Sequence, residues 1–261
     1  MKISILGCGW LGMALGRKLA QNTEYEVKGS TTGTIKLETI KTAGMQAFRV
    51  DLGDHCPDAF FESDILIITI PPSTEGFEKN MSNLVHLLPV YKIEKVVFIS
   101  TTSLYPSLNQ EVLEEDADYL KSPHSGISML AIEDLFRESA EFQTTIIRFA
   151  GLYGPGREPG RFLAARSGLK GAENPINLIH QDDCIAIIEN IIGQGVWGET
   201  FNACSDEHPT RKEFYTRAAE SLGLGAPGFS NQPTSYKVVN SDKLKSIIGY
   251  KFIHPDAMKD L

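Results

Sequence analysis

No two of the four cysteines, Cys8, Cys56, Cys184 and Cys204, form a Cys-x-x-Cys pair, and none stands at a metal-type spacing from a histidine. A disulfide scaffold and a zinc module are therefore poor readings, and scattered thiols fit a reducing compartment. No stretch approaches the about 18 consecutive apolar residues that a membrane span requires. Cationic charge is in deficit: 25 Lys+Arg against 33 Asp+Glu leave a net charge of −8. Such a chain has no electrostatic reason to seek nucleic acid or an anionic membrane surface. Short repeats and low-complexity tracts are missing too. The opening MKISILGCGWLGMALGRKLA does not read as a secretion signal, because Gly7, Gly9, Gly12 and Gly16 break its apolar stretch and no small-residue cleavage site follows. The expectation is a cytoplasmic protein, monomer or homodimer, whose partner is a small molecule.

What is present is ordinary globular composition, 42% hydrophobic and 22% charged over 261 residues. That length suits one large domain, or one with a small satellite. Strands are expected at Lys2–Leu6, Tyr25–Ser30, Gln46–Val50, Asp64–Ile70, Lys95–Thr101 and Thr144–Phe149. The fourth, DILIITI, is continuously apolar and β-branched, as a parallel strand covered on both faces must be, and Pro71-Pro72 ends it. Between them lie amphipathic stretches at Leu11–Ala20, Glu78–Leu88 and Ser128–Ser139, the last with Leu130, Ile132, Leu135 and Phe136 expected inward. Alternation of this kind predicts an α/β fold with a doubly wound parallel sheet. Beyond Ala150 the character changes. Gly151–Asn174, rich in Gly, Pro and Arg, is expected as loop. A helix follows from about Asp183 to Ile192, capped by Asp182 or Asp183, then a strand at Glu199–Ala203. Thr210 and Glu213 predict a capping box for a helix reaching about Leu222, and Ser241 a cap for a last short helix. The expected division is a Rossmann-type domain over residues 1–150, its sheet completed by 177–204, and a small mixed substrate lobe from 151–176 and 205–261.

Gly7-Cys8-Gly9-Trp10-Leu11-Gly12 is G-x-G-x-x-G, between a strand and a helix. In that context Gly7 permits the tight turn, Gly9 lets a pyrophosphate touch the backbone, and Gly12 lets helix and strand pack closely. Free N–H groups at the helix start then face the phosphates. Trp10 reads more readily as a packing residue. About 20 residues on, where an acidic residue would bind the NAD ribose, stand Gly29-Ser30-Thr31-Thr32-Gly33. Nothing there repels a 2′-phosphate, Thr31 and Thr32 can donate to one, and Lys36 can pair with it. The cofactor expectation is therefore NADP or NAD, tilted toward NADP, although an arginine, the better phosphate partner, is missing from this loop. Asp51 reads equally as an acceptor for the adenine amino group or as a solvated turn residue.

Several later segments resemble the extended short-chain dehydrogenase/reductases, the NAD-dependent epimerase/dehydratase family: Phe98–Tyr105 (FISTTSLY), Arg148–Arg157 (RFAGLYGPGR), Asn177–Asp183 (NLIHQDD), and Asn202 through Pro209-Thr210. They occur in the family's order over nearly the whole chain. The resemblance implies that Gly7, Gly9, Trp10, Leu11 and Gly12 hold the pyrophosphate, that Thr31 and Thr32 face the ribose, and that Asp51 and Leu52 face the adenine. It places Thr69, Ile70 and Pro71 along the cofactor cleft, Phe149, Ala150 and Gly151 beside the nicotinamide, and Thr101 at the catalytic Ser/Thr.

The departure from the family is at its Tyr-x-x-x-Lys pair, where the Lys lowers the Tyr pKa and the Tyr exchanges a proton during hydride transfer. Those positions hold Ser125 and Met129. Methionine supplies no charge, and serine is a far weaker acid than tyrosine. Thr101 with Ser125 or His124 is the expected proton-handling set. Tyr105 and Tyr153 read as packing residues, and Glu114, Glu115, Asp116 and Asp118 as a solvated acidic face. Arg157 and Arg161, with Arg166 after them, suit a phosphate or carboxylate, and so a nucleotide-sugar or smaller anionic substrate. His180 and Asp183 read as structural. The competing reading is a catalytically silent NAD(P)-binding sensor. A β-hydroxyacid dehydrogenase is excluded, since too little chain follows the sheet to build its helical domain.

Overall fold

Strand β1 (Lys2–Leu6) leads into α1 (Trp10–Leu19), and the alternation continues through β2 (Glu26–Thr31), α2 (Leu37–Thr42), β3 (Gln46–Arg49), α3 (Asp58–Phe61), β4 (Ile65–Ile68), α4 (Phe77–Leu87) and β5 (Lys95–Thr101). There follow β6 (Gln110–Val112), α5 (His124–Arg137), β7 (Gln143–Phe149), β8 (Gly151–Tyr153), α6 (Gly160–Leu163), β9 (Leu178–His180), α7 (Gln181–Gln194), β10 (Thr200–Ala203), α8 (Arg211–Ser221), β11 (Lys237–Val239) and α9 (Asp242–Ile248). This computed structural model describes residues 1–261. Seven strands form one sheet in the order β10-β7-β5-β4-β1-β2-β3. The β1–β2, β1–β4, β2–β3 and β4–β5 pairs are parallel, with Ile3 opposite Val27 and Ile65. The order reverses beside β1, which is where doubly wound sheets open a crevice at the carboxyl ends of their strands. No helix is long and apolar enough to cross a membrane.

Two compact units make up the chain: Met1–Ser100 with Ile127–Ile147 and Ile188–Thr200, and Thr101–Gly126 with Arg148–Ile187 and Phe201–Leu261. In the first, Ile3, Ile5, Ile67, Val97 and Phe98 are fully buried on the sheet, and Leu15 and Phe136 are equally buried on the helices. Phe98 and Phe136 stack with centroids 4.9 Å apart. Two charged side chains are buried with this core and both are satisfied. Lys28 donates to the carbonyls of Ala59 and Glu62, ending α3, and its burial lowers the ammonium pKa. Glu133, fully buried, accepts from Ser100 Oγ at 2.5 Å and meets Arg137 at 3.3 Å. That glutamate explains one misplaced core residue: α5 turns Glu133, Ile132 and Phe136 inward, and Leu135, expected inside, is exposed.

In the second unit, Tyr153, Leu178, Phe214, Ala218 and Ala257 pack together, and two short parallel pairs, β8–β9 and β6–β11, flank the loops. Several sequence expectations are corrected here. The stretch expected as loop over 151–174 contains β8 and α6. Asp183 is no helix cap: fully buried, it accepts from Tyr250 Oη and from the N–H groups of Ile253 and His254, fastening the C-terminal segment. Ser241 precedes α9 without a side-chain cap, because its hydroxyl instead accepts from Cys204 N–H and donates to the Cys204 carbonyl. Glu114 leaves the expected solvated face, since its Oε1 accepts from Asn202 N–H at 2.7 Å. Partial burial raises its pKa. Thr210 does cap α8, its Oγ1 accepting from Glu213 N–H.

Candidate functional site

The glycine turn is built as the spacing requires. Gly7 has φ +104°, a conformation that side-chain-bearing residues avoid. Its N–H donates to Ser30 Oγ at 2.9 Å, and its carbonyl accepts from Thr69 Oγ1 at 2.6 Å. One hydroxyl from β2 and one from the residue that follows β4 thus hold the turn at both of its backbone groups. A Cβ on Gly12 would lie 2.3 Å from the Gly7 carbonyl oxygen, so α1 reaches the turn only because residue 12 is glycine. A Cβ on Gly9 would meet nothing within 4 Å. The turn is therefore packed on the Gly12 side and open on the Gly9 side, at the end of a helix whose first N–H groups have no intrahelical acceptor.

That open side belongs to a cleft of about 290 Å³, wholly within the first unit. It brings together Gly7, Gly9, Thr31, Thr32, Lys36, Asp51, Leu52, Thr69, Ile70 and Pro71, ten of the residues expected to hold a cofactor. Leu11 and Gly12 are buried beneath the turn, and Trp10 is half-buried at the first position of α1; none of the three lines the cleft. Asp51 is a turn-former as well as a lining residue. Its Oδ1 accepts from Gly53 N–H, and its backbone pairs with His55.

Sequence reasoning missed several parts of the wall. Ser30 reads as the end of a strand and part of the polar turn after it, without a role in the cleft; Thr74 comes from the loop before α4, and Asn80 and Met81 from α4 itself. Cys8 also lines the cleft, with its thiol pushed up to about 11 by burial, which keeps it a neutral thiol. An arginine does stand beside the β2 loop, on β3 and outside the cleft lining: Arg49 Nε donates to the Thr32 carbonyl at 3.1 Å, and its guanidinium lies 3.5 Å from Asp54. The register that places Thr31 opposite Arg49 makes this neighbourhood, and no local motif announces it.

The remaining expected site residues lie in the second unit. Thr101, half-buried at the end of β5, donates to Ser103 Oγ and accepts from Ser103 N–H, each at 3.1 Å. His124 and Ser125 are exposed on the first turn of α5, and Met129, in the first unit, is buried. Gly126 fixes where that turn sits, since its Cβ would fall 2.7 Å from the Leu104 carbonyl. Tyr105 is buried, donates to Asn202 and accepts from Arg148 at 2.6 Å; burial pushes its phenol up to about 12, which removes it as a proton donor near neutrality. Tyr153 donates to Asp260, and burial with that carboxylate raises its pKa further still. Phe149 and Ala150 are buried and Gly151 is exposed. Arg161 pairs with Glu158 at 3.5 Å, and Arg157 N–H closes a turn on the Gly154 carbonyl.

Fold and turn together define a protein of Rossmann-type architecture. A model of the NAD dependent epimerase/dehydratase family matches residues 77–202. Protein YeeZ of Escherichia coli (strain K12) is 30% identical over 270 aligned positions, spanning 98% of this chain and 97% of that one. Among solved structures, UDP-glucuronic acid 4-epimerase from Bacillus cereus in complex with UDP-glucuronic acid and NAD superposes with a TM-score of 0.81 at 20% identity, covering 100% of this chain and 96% of that one. A functionally unknown conserved protein from Silicibacter pomeroyi DSS gives 0.81 at 20% identity, covering 99% and 95%. The two structures share the fold. The chain belongs to the NAD-dependent epimerase/dehydratase family.

Proposed function

We propose that this protein is an NAD(P)-dependent oxidoreductase or epimerase whose proton relay differs from the family's Tyr-x-x-x-Lys pair. The observation that carries the reading is the asymmetry of the glycine turn: closed by the Gly12 approach, open at Gly9, and bordered by the 290 Å³ cleft. A pyrophosphate fits that opening, where Gly9 leaves room and the first N–H groups of α1 offer donors. Bound there, the pyridine dinucleotide supplies the hydride chemistry. Thr31 and Thr32 would meet the adenosine ribose, and Asp51 and Leu52 the adenine.

NADP(H) is the preferred form in this reading. No carboxylate ends β2, and Lys36 and Arg49 stand near Thr32 as cations for a 2′-phosphate. On the substrate side, the Thr101 hydroxyl is the donor to a substrate oxygen, and Ser125 or His124 exchanges the proton with solvent. Arg157 and Arg161 are the proposed contacts for an anionic, sugar-like substrate. Exposed Ser125 and buried Met129 favour a second reading, a silent cofactor-binding sensor.

Fluorescence titration with NADPH and NADH, followed by a carbonyl-compound panel, tests both readings. The enzyme reading expects tighter NADPH binding, weakened tenfold or more by R49A, and steady NADPH oxidation that T101V abolishes. Tight binding without turnover on a broad panel is the sensor's outcome, and no binding of either nucleotide contradicts both.

A further inference from the structure

The C-terminal part of the second unit holds a cluster that the cofactor reading does not use. His180 ends β9, Asp182 lies in the first turn of α7, and His254 belongs to the segment fastened by Asp183. Asp182 Oδ2 lies 3.4 Å from His254 Nε2 and 3.5 Å from His180 Nδ1. Both separations exceed the about 2.7–3.2 Å of a good hydrogen bond. They match instead the edge of a tetrahedron: donors at about 2.0–2.2 Å from one ion stand about 3.4 Å apart. All three donor atoms lie within 4.8 Å of one another.

The surrounding contacts orient these donors. His254 Nδ1 is 2.8 Å from Asp260 Oδ1, and Asp260 Oδ2 accepts from Tyr153 Oη at 2.6 Å. A carboxylate on one imidazole nitrogen fixes the tautomer that leaves the other lone pair free for a metal. Here that other nitrogen, Nε2, is the one beside Asp182. Gly154 makes room for the second ring, since a Cβ there would come 3.1 Å from His180 Nε2. His180 Nδ1 accepts only a long 3.2 Å contact from Asp182 N–H, which a metal would displace. The two imidazole centroids are 3.8 Å apart with their planes at 35°, so the rings must splay from this near-stacked arrangement to share one ion.

We propose that His180, Asp182 and His254 form a binding site for one divalent transition-metal ion of the zinc class, with Asp260 as the positioning carboxylate. Two imidazoles and one carboxylate suit zinc or cobalt, whereas calcium and magnesium require six or more oxygens. Three protein donors leave the fourth tetrahedral position to water. The ion would cross-link the start of α7 to the C-terminal segment. The site is invisible to spacing rules because its two histidines lie far apart in the sequence.

Cobalt(II) titration of the untagged, chelator-stripped full chain tests the proposal. The expected result is one cobalt per chain with the intense visible bands of a tetrahedral ion, displaced by zinc. Absorption-edge fine structure of the zinc protein should show only nitrogen and oxygen neighbours at about 2.0–2.2 Å. H254Q and D182N should weaken binding at least tenfold, with unchanged melting of the metal-free protein, while H124Q binds as the wild type does. No tetrahedral band, sulfur neighbours, or equal binding by H254Q and D182N would overturn it. NADPH titration of H254Q is expected to match the wild type, which separates this result from the fate of the cofactor reading.

Discussion

Gly9 and Gly12 share one turn and carry opposite demands. At Gly12 a methyl group would press into the Gly7 carbonyl at 2.3 Å, and backbone cannot yield as a side chain can. Gly12→Ala is expected to destabilise the fold by about 1–3 kcal/mol, as overpacking does, and to move α1 away from the turn. Gly9→Ala has open space and a φ of −80°, so its melting temperature should match the wild type in a thermal scan. Lys237 poses a different residue-scale question. Its half-buried ammonium donates to the Tyr105 carbonyl at 2.6 Å, and desolvation lowers its pKa from an ordinary 10.5 to about 8. The unfolded chain therefore binds the extra proton between those values, so stability rises with pH through that window. Below pH 8 both states are protonated and the desolvation cost is fully present. Denaturant midpoints of wild type and K237M, compared at pH 7.5 and pH 10, should shift in the wild type's favour at the higher pH.

At the scale of elements, caps and close approaches decide where helices begin. Thr210 Oγ1 caps α8 through Glu213 N–H; Thr210→Ala should cost about 1 kcal/mol in urea unfolding. Gly126→Ala should cost more, because the first turn of α5 sits against the Leu104 backbone. The elements most legible in the sequence were those with buried parallel strands: KVVFIST is β5 as expected, and ILII remains of DILIITI. The ends were less legible. α5 begins at His124, four residues before its apolar periodicity, because Gly126 allows a close contact that no hydropathy pattern records. Ser241 and Asp183 were misread for a related reason. Each looks like a helix cap locally, yet long-range partners, Cys204 and the 250–254 segment, claim the side chain.

For the molecule as a whole, the ten cleft residues that sequence did identify all sit on strand ends or in the loops that follow them. That is where a doubly wound sheet gathers ligand contacts, so motif and topology agree there. Arg49, Ser30 and the metal-type cluster escaped because register and tertiary packing, and no local pattern, bring them to their neighbours. Cofactor binding should also be felt globally. A ligand held only by the folded state at about 100 times its Kd adds about 2.7 kcal/mol. Saturating NADPH should accordingly raise the melting temperature by several degrees, and more than NADH does.

Calorimetric titration of NADPH and NADH into the wild type and G9E tests the central claim most directly. A Cβ at Gly9 meets nothing within 4 Å, so G9E is expected to fold, with its carboxylate projecting from the open side of the turn and repelling a pyrophosphate. The expected result is a one-to-one exotherm in the wild type and none in an equally stable G9E. Absence of heat from both nucleotides in the wild type, or equal binding by G9E, would contradict the assignment of this turn to a dinucleotide.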